Sequence, residues 1–341
     1  MLTEEQVKER LEEVLVPGAM KSITKLNLVR RLAVCDGKVE VDLASAALNE
    51  AVQKWLKAKV RDAVKELPGL RMIETSFVDA KPAELNEVGG VIAVMSGKGG
   101  VGKSLVTSLA AVSLARRGQE VGILDADITG PSIPKMFDIS GRPLGSESGI
   151  MPVTTHSGIE VMSINLLLEN ADDAVIWRGP VIANTIKQFW EDVLWGKLDY
   201  LLVDLPPGTS DAPLTVMQSL PLAGVVIVFS PQELSTMAVK KAVQMVRKME
   251  IPILGMVENM SYLLIPETSK RLEIFGRSRA EEMAEAAGAP LLGQIPIDPE
   301  LARLSDEGDI ERYGSDSMKS FSEAFFKAVE IGTIPSAETR A

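Results

Sequence analysis

The sequence predicts an α/β protein in which helices cover both faces of a mostly parallel β-sheet, preceded by a small α+β domain. The main observation is a series of short apolar runs beyond residue 90, separated by helical patterns. The runs are VIAVMS (91–96), EVGILD (120–125), IEVMSI (159–164), YLLVDL (200–205), GVVIVF (224–229), PILGMVEN (252–259) and PLLGQIP (290–296). Runs that are apolar on both faces are typical of parallel strands buried between two layers of helices. Two further observations are the different pattern of the first 80 residues and the segment with proline and glycine that follows them.

The first 80 residues predict a compact α+β unit. Its predicted elements are a helix over 4–15, a β-hairpin around Asp36-Gly37, a helix over 45–66 and a strand over 71–78. An Asp-Gly pair between two alternating runs is a strong hairpin signal, because both residues accept the positive φ angles of a tight turn. The segment DAKPAELNEVGG has the composition of a connection. The predicted organisation is therefore an α+β domain over 1–80, a linker over 81–90 and a larger domain over 91–335.

Composition and charge exclude several classes of function. The formal net charge of −11 argues against a nucleic-acid partner, because such a partner requires a basic face. No apolar run approaches the roughly 20 residues that span a bilayer, and the charged start of the chain is unlike a signal peptide. We therefore expect a cytoplasmic protein with no membrane partner. Cys35 is the single cysteine, so a metal site built from several cysteines of one chain is excluded.

A glycine-rich loop follows the first apolar run of the larger domain. Its residues 97–104 fit the pattern G-x-x-x-x-G-K-S/T, and a helical pattern over 103–117 comes next. Glycines let the backbone N–H groups surround a phosphate, and the start of a helix favours the same anion. Lys103 is placed for the β- and γ-phosphates, and the Ser104 hydroxyl for Mg²⁺. The loop therefore predicts a P-loop nucleotide site made by Gly97, Lys98, Gly99, Gly100, Val101, Gly102, Lys103 and Ser104.

Carboxylates follow two other apolar runs, and the carboxyl ends of parallel strands meet at one edge of a sheet. Asp204 follows an apolar run as a Walker B aspartate does, and such an aspartate holds Mg²⁺ through water. Asp127 is predicted to share this Mg²⁺ with Ser104 and Asp204 and to activate the attacking water. Asp125 is either a structural hydrogen-bond partner or part of the site. Since the only histidine, His156, lies in a turn-like TTHSG stretch, a carboxylate must position the water.

These motifs together resemble the Mrp/ApbC family of ATP-binding proteins, within the wider group that includes MinD and the nitrogenase iron protein. The matching stretches are SGKGGVGKS, DADITGPSIPKMF, WRGP, WGKLDYLLVDLPPGTSD, VENMSY, EIFG and LLGQIPID. They cover most of residues 91–310 in the expected order. The resemblance implies an ATPase, slow in turnover and active as a homodimer, that serves iron–sulfur cluster assembly.

The resemblance also assigns roles to single residues. It implies that Lys98 is the signature lysine that reaches the phosphates bound by the other subunit and stabilises transition-state charge. The alternative is a solvated loop lysine. Asn259 matches the position that contacts adenine, which favours ATP over GTP. Arg178 in WRGP is either a charge partner near the site or part of a structural ion pair. The predicted catalytic residues are Lys98, Lys103 and Asp127.

The N-terminal unit resembles the small MIP18-like domain that precedes many Mrp proteins. That domain usually carries an acidic turn and a cysteine before its second helix. Here the turn reads VPGA (16–19), and residues 42–52 contain no cysteine. Cys35 lies in the predicted hairpin instead, and we expect it to be buried or without a role.

The chain also departs from its family at the cluster motif. Family members carry C-P-x-C just after NMSY, and a homodimer holds one bridging cluster on four sulfurs. Ile265 and Thr268 occupy those positions, while Pro266 is retained, and neither side chain replaces a thiolate at iron. We therefore expect no iron–sulfur cluster in the usual site.

Two functions from different classes stay open. In the first, an ATP-hydrolysing homodimer works in cluster delivery through assembly or recipient proteins that supply the cysteines. In the second, a cluster-free ATP switch regulates a protein partner, as MinD does. Residues 316–330 form an amphipathic pattern of mixed charge, which predicts a helix packed on the domain rather than on a membrane.

Overall fold

The structure is a computed structural model, and the chain divides into two compact units. It describes residues 2–127, 130, 132–167, 179–265, 268 and 270–333. The first unit comprises the chain up to Val88 together with Gly141–Thr154 and Gln188–Leu198, and the second comprises the rest. The two later segments fall within the range predicted as the larger domain. They belong to the first unit because their buried side chains, Met151 and Leu194, lie in its hydrophobic core.

Helices and strands alternate along much of the chain, and the predicted linker contains a short helix and the start of a strand. The helices are α1 (Glu4–Leu11), α2 (Glu50–Val64), α3 (Pro82–Leu85), α4 (Lys103–Ala115), α5 (Ile133–Met136), α6 (Gly179–Asp192), α7 (Asp211–Ser219), α8 (Glu233–Lys248), α9 (Ala280–Ala287), α10 (Pro299–Glu307) and α11 (Asp316–Thr333). The strands are β1 (Val29–Cys35), β2 (Lys38–Ala44), β3 (Met72–Val78), β4 (Glu87–Ser96), β5 (Val121–Asp125), β6 (Gly145–Ser146), β7 (Gly149–Ile150), β8 (Val153–Thr154), β9 (Glu160–Ser163), β10 (Lys197–Asp204), β11 (Leu222–Phe229), β12 (Ile253–Ile265), β13 (Lys270–Leu272) and β14 (Leu291–Ile297).

The first unit contains a three-stranded sheet in the order β1-β2-β3, with β1 antiparallel to β2 and β3 parallel to β2. The predicted hairpin is present, and its turn residues Asp36 and Gly37 have φ angles of 48° and 80°. The first helix ends at Leu11 and is shorter than predicted. Val14 is buried beyond the helix end, whereas Leu15 is 43% exposed. The helical spacing of apolar residues therefore extends past the end of the helix, but only Val14 of the two later residues packs in the core.

The second unit is built on a sheet in the order β13-β12-β11-β4-β10-β5-β9, with β14 beside β12. The pairs β11–β4, β11–β12, β12–β14, β10–β5 and β5–β9 are parallel, and β13 is antiparallel to β12. The connection from β4 to β5 through α4 runs along the sheet in one direction. The connections from β10 to β11 through α7 and from β11 to β12 through α8 run in the other direction. Because such crossovers are right-handed, α4 lies on one face and α7 and α8 on the opposite face. The predicted α/β class is confirmed.

The last helix, α11, packs against α4 and β14, as predicted for residues 316–330. Its apolar face is formed by Met318, Phe321, Phe325 and Val329, all at most 4% exposed. In the part of the chain that the structure describes, no helix has the length and apolar character needed to cross a membrane.

Candidate functional site

The glycine-rich loop joins the end of β4 to the start of α4, as the sequence predicts. Gly100 and Gly102 have φ angles of 77° and 79°, in the left-handed region that favours glycine. A Cβ on Gly102 would lie 2.0 Å from the Asn259 side-chain nitrogen, and one on Gly97 would lie 2.4 Å from the backbone of Ala238. Glycine is therefore required at Gly97 for close packing and at Gly102 also for backbone conformation.

Asp204, at the end of β10, is the centre of a buried polar cluster. Lys103 Nζ lies 2.7 Å from Asp204 Oδ2, and the Ser104 hydroxyl donates to the same oxygen at 2.5 Å. The Thr107 hydroxyl donates to Oδ1 at 2.6 Å. Asp204 is fully buried and Lys103 is 5% exposed, so each charge depends on the other for compensation. The sequence predicted Lys103, Ser104 and Asp204, and the structure brings them together.

Thr107 was not predicted, although it lies on α4 one turn after Lys103 and faces the same carboxylate. We expect Thr107→Val to lower the free energy of unfolding by about 1–3 kcal/mol, because Asp204 loses a buried hydrogen-bond donor. Urea denaturation of the full chain measures this. The matched control is Thr215→Val, which makes the same substitution but removes only a hydrogen bond within one helix. The Thr215 hydroxyl donates to the Asp211 carbonyl of its own helix at 2.6 Å. Equal losses in the two variants would show that the Asp204 contact contributes nothing specific.

Two further aspartates lie beside this cluster. Asp125 is fully buried, and it is the register partner of Asp204 on the neighbouring parallel strand β5. It accepts a hydrogen bond from the Ser163 hydroxyl at 3.1 Å. Burial, together with the charge of Asp204, raises the pKa of Asp125 far above the usual range of a carboxyl. Asp127 Oδ2 lies 3.5 Å from Lys103 Nζ, so the predicted catalytic carboxylate is at the same edge of the sheet.

Lys98 is held within its own chain. Its ammonium donates to the side-chain oxygen of Gln232 at 2.7 Å, and its carbonyl accepts from the Ser96 hydroxyl at 2.9 Å. Gln232 precedes the first residue of α8. No local pattern in the sequence marks Gln232, because 134 residues separate it from Lys98.

Asn259 lies inside β12 rather than at the end of its strand, since β12 continues to Ile265. It is 1% exposed, and its amide nitrogen donates to the Val101 carbonyl at 2.9 Å. Asn259 therefore braces the glycine-rich loop, and its contact with adenine stays a prediction.

Glu258, the residue before Asn259, was also not predicted. It is fully buried, and its carboxylate accepts hydrogen bonds from the hydroxyls of Ser261 and Ser278, both at 2.6 Å. The backbone N–H of Arg279 donates to it at 2.8 Å, next to the start of α9. This network fixes the segment of β12 that carries Asn259.

The stretch that replaces the cluster motif begins at the end of β12, which pairs with β13, and we call these two antiparallel strands the hairpin. Ile265 pairs with Lys270 across the antiparallel strands, and Thr268 is an exposed turn residue. Pro266 and Arg178 lie outside the described residues. Cys35 is exposed, because the edge of the β1–β2 hairpin leaves its side chain in solvent. Of the two alternatives expected for it, burial is wrong, and the lack of a role stays a prediction. Within the described ranges, no group of three or more His, Cys, Asp or Glu side chains has the arrangement of a metal site.

Comparisons with known families cover both units. Residues 87–330 match the family described as NUBPL iron-transfer P-loop NTPase, and residues 4–77 match the family described as iron-sulfur cluster assembly protein. The iron-sulfur cluster carrier protein of Synechocystis sp. is 38% identical over 322 residues, which cover 90% of this chain and 91% of that protein. That of Clostridium perfringens is 46% identical over 244 residues, covering 68% of this chain and 86% of that protein.

Solved structures agree with these matches. A nucleotide-binding protein of Archaeoglobus fulgidus in complex with ADP is 47% identical, with a TM-score of 0.61 over 69% of this chain and 92% of that chain. MinD of Pyrococcus horikoshii with Mg-ADP is 20% identical, with a TM-score of 0.51 over 72% of this chain and 97% of that chain. This likeness establishes a shared fold and nothing more. From the P-loop geometry and these matches, the chain belongs to the Mrp/ApbC family of P-loop NTPases, whose named relatives are iron–sulfur cluster carrier proteins.

Proposed function

We propose that the chain binds ATP with Mg²⁺, hydrolyses it slowly as a homodimer, and serves iron–sulfur cluster assembly or delivery without holding the cluster on its own hairpin. The observation that carries this proposal is the buried cluster of Lys103, Ser104 and Asp204 at the end of the glycine-rich loop. The lysine supplies the positive charge that a triphosphate requires, and the hydroxyl and carboxylate supply oxygen ligands for its cation.

Nucleotide binding would exchange the partners of Lys103. Its ammonium now lies against Asp204, and the more highly charged β- and γ-phosphates would draw it away. The backbone N–H groups of the loop and the start of α4 favour the same anion. The loop would keep its shape during this exchange, because Asn259 and Ala238 pack against its glycines.

The residues present fit Mg²⁺, which binds proteins through one or two carboxylates together with substrate phosphates. The Ser104 hydroxyl and the Asp204 carboxylate would hold it, with Asp127 beside them. Magnesium supplies charge neutralisation at the β- and γ-phosphates. We propose that Asp127 positions the attacking water. Its carboxylate lies 3.5 Å from the ammonium of Lys103, which would contact the γ-phosphate that the water attacks. The family resemblance assigns Asn259 the contact with adenine, and in this structure its amide nitrogen donates to the Val101 carbonyl of the loop.

The proposed role in cluster chemistry is supported by the relatives, which are named iron-sulfur cluster carrier proteins. The hairpin offers Ile265 and Thr268 where the family has cysteines, and Cys35 belongs to the first unit. The cluster is cargo, so we propose that its thiolates come from an assembly or recipient protein. The second candidate, a cluster-free ATP switch acting on a protein partner, is favoured by the same missing thiolates.

Anaerobic reconstitution tests the proposed lack of a cluster. After treatment with iron and sulfide, the wild-type dimer should bind no stable cluster, because no two thiolates of one chain are available. Absorbance and metal content measure this.

The matched control restores the family motif with Ile265→Cys and Thr268→Cys in one chain. This double variant should gain about one cluster per dimer, because two hairpins then supply four sulfurs. A stable cluster in the wild-type chain would refute the proposal. A loss of the wild-type chain's ATP hydrolysis in the double variant would indicate a misfolded hairpin, and its cluster result would then be discarded.

A further inference from the structure

A groove of about 620 Å³ lies between α7 and α8 in the second unit, away from the cluster around Asp204. Three lysines line it, Lys240, Lys241 and Lys248, and the described lining residues include no acidic side chain. Leu214, Met245 and Met249 give it an apolar component. We call this surface the α7–α8 groove.

The composition of the groove is unusual for this chain, whose formal net charge is −11. Neighbouring like charges repel one another, and an anionic ligand would relieve that repulsion. Methionine side chains adapt their shape to different apolar surfaces, so Met245 and Met249 suit a peptide with apolar side chains. A long polyanion such as nucleic acid would meet the acidic remainder of the protein. The charge and the apolar floor together fit a short acidic, amphipathic peptide segment.

The α7 wall of the groove is joined to the nucleotide site through a short loop. Asp204 ends β10, and Thr209, which lines the groove, follows five residues later. Within this loop, Gly208 N–H donates to the Ser96 carbonyl at 2.9 Å, next to the start of the glycine-rich loop. A change in the contacts of Asp204 would therefore shift this short loop and, with it, the groove residue Thr209.

The α8 wall is joined to the same site at two points. Gln232, just before α8, accepts the hydrogen bond from Lys98 at 2.7 Å. The backbone of Ala238 lies so close to Gly97 that a Cβ there would be 2.4 Å away. If Lys98 leaves Gln232 when nucleotide binds, the start of α8 loses a contact two turns before Lys240.

From these contacts we propose that the α7–α8 groove is the docking site for an acidic, amphipathic segment of a partner protein, and that nucleotide binding at the P-loop changes its affinity. Carboxylates of the segment would contact the lysines, and its apolar side chains would pack on Leu214, Met245 and Met249. The docking site itself is independent of ATP hydrolysis, whereas its response to nucleotide rests on the proposed ATP site.

The test measures binding of a fluorescein-labelled synthetic peptide, with glutamate and leucine at helical spacing, to the full chain by fluorescence anisotropy. The groove variant is Lys241→Glu with Lys248→Glu. The control variant, Lys319→Glu with Lys327→Glu, makes the same charge change on α11, where both lysines are exposed. We expect binding about tenfold weaker in the groove variant and unchanged in the control, because only the groove lysines contact the peptide.

Several outcomes would overturn the docking site. These are equal weakening in both variants, no weakening in either, and preferential binding of phosphatidylserine vesicles over the peptide. Loss of self-association in the groove variant without a change in peptide binding would assign the groove to a second copy of the chain. Normal circular dichroism of the groove variant ensures that weak binding is not a loss of fold.

Nucleotide dependence is tested with the wild-type chain, with and without a non-hydrolysable ATP analogue and Mg²⁺. We expect the peptide affinity to differ at least about fivefold between the two conditions, which is the lower end of typical coupling between sites. Equal affinities would overturn the response to nucleotide. Because the nucleotide-free measurement involves no ATP, failure of the groove and failure of the proposed ATPase are distinguishable.

Discussion

Lys103→Ala should lower the rate of ATP hydrolysis by at least about 100-fold, because it removes the cation that faces the developing charge on the phosphates. Nucleotide binding should weaken as well, since the lysine would contact the β- and γ-phosphates before the reaction. Phosphate release and the binding of a fluorescent ATP analogue measure the two effects. A normal hydrolysis rate in this variant would refute the assignment of the phosphate site.

This variant also leaves Asp204 as a buried carboxylate without its cation. Removing one partner of a buried pair costs about 3–5 kcal/mol. Loss of activity through unfolding must therefore be separated from loss of chemistry. The double variant Lys103→Ala with Asp204→Asn also removes the buried charge of Asp204, so its free energy of unfolding should exceed that of Lys103→Ala. Its hydrolysis should stay absent, and this combination identifies a catalytic loss. Lys135→Ala, on an exposed lysine of α5, is the matched control and should change neither property.

The sequence predicted the edge of the sheet where the site lies, and the reason is topological. Parallel strands end at one edge, so Asp125 and Asp204 were expected at the same edge once both were placed at the ends of apolar runs. The observed register, with Asp204 beside Asp125, agrees with this argument. The loop glycines were predicted from their chemistry alone, and the positive φ angles of Gly100 and Gly102 agree.

The residues that the sequence did not predict are those whose roles arise from tertiary contacts. Gln232 contacts Lys98 although the two are 134 residues apart, and no local pattern marks such a pair. Thr107 has the ordinary spacing of a buried helix position, so its contact with Asp204 has no sequence signal of its own. Met151 and Leu194 were likewise not predicted to belong to the core of the first unit, because their partners there lie far away in the sequence. Periodicity identifies a buried face but not the element that covers it.

Lys98→Ala should leave nucleotide binding by a single subunit within about twofold, while lowering hydrolysis by about 1,000-fold or more, as removal of an arginine finger does. The reason is the position of Lys98, whose ammonium now lies on Gln232 rather than among the groups around Asp204. Equal losses of binding and hydrolysis would indicate a role within its own subunit. Gln232→Ala separates the resting contact from the reaction, because it removes the acceptor and keeps the lysine, and it should retain hydrolysis.

A mixing experiment decides which subunit receives Lys98. Lys98→Ala and Asp127→Asn should each be inactive alone, although both keep Lys103 and Ser104 for ATP binding. In a mixed dimer, the site on the Lys98→Ala subunit has its own Asp127 and receives Lys98 from its partner. Since a twofold dimer has two equivalent sites and half of randomly mixed dimers are hybrids, about a quarter of the wild-type rate should return. If Lys98 served its own subunit, no site in any dimer would contain both residues, and the mixture would stay inactive.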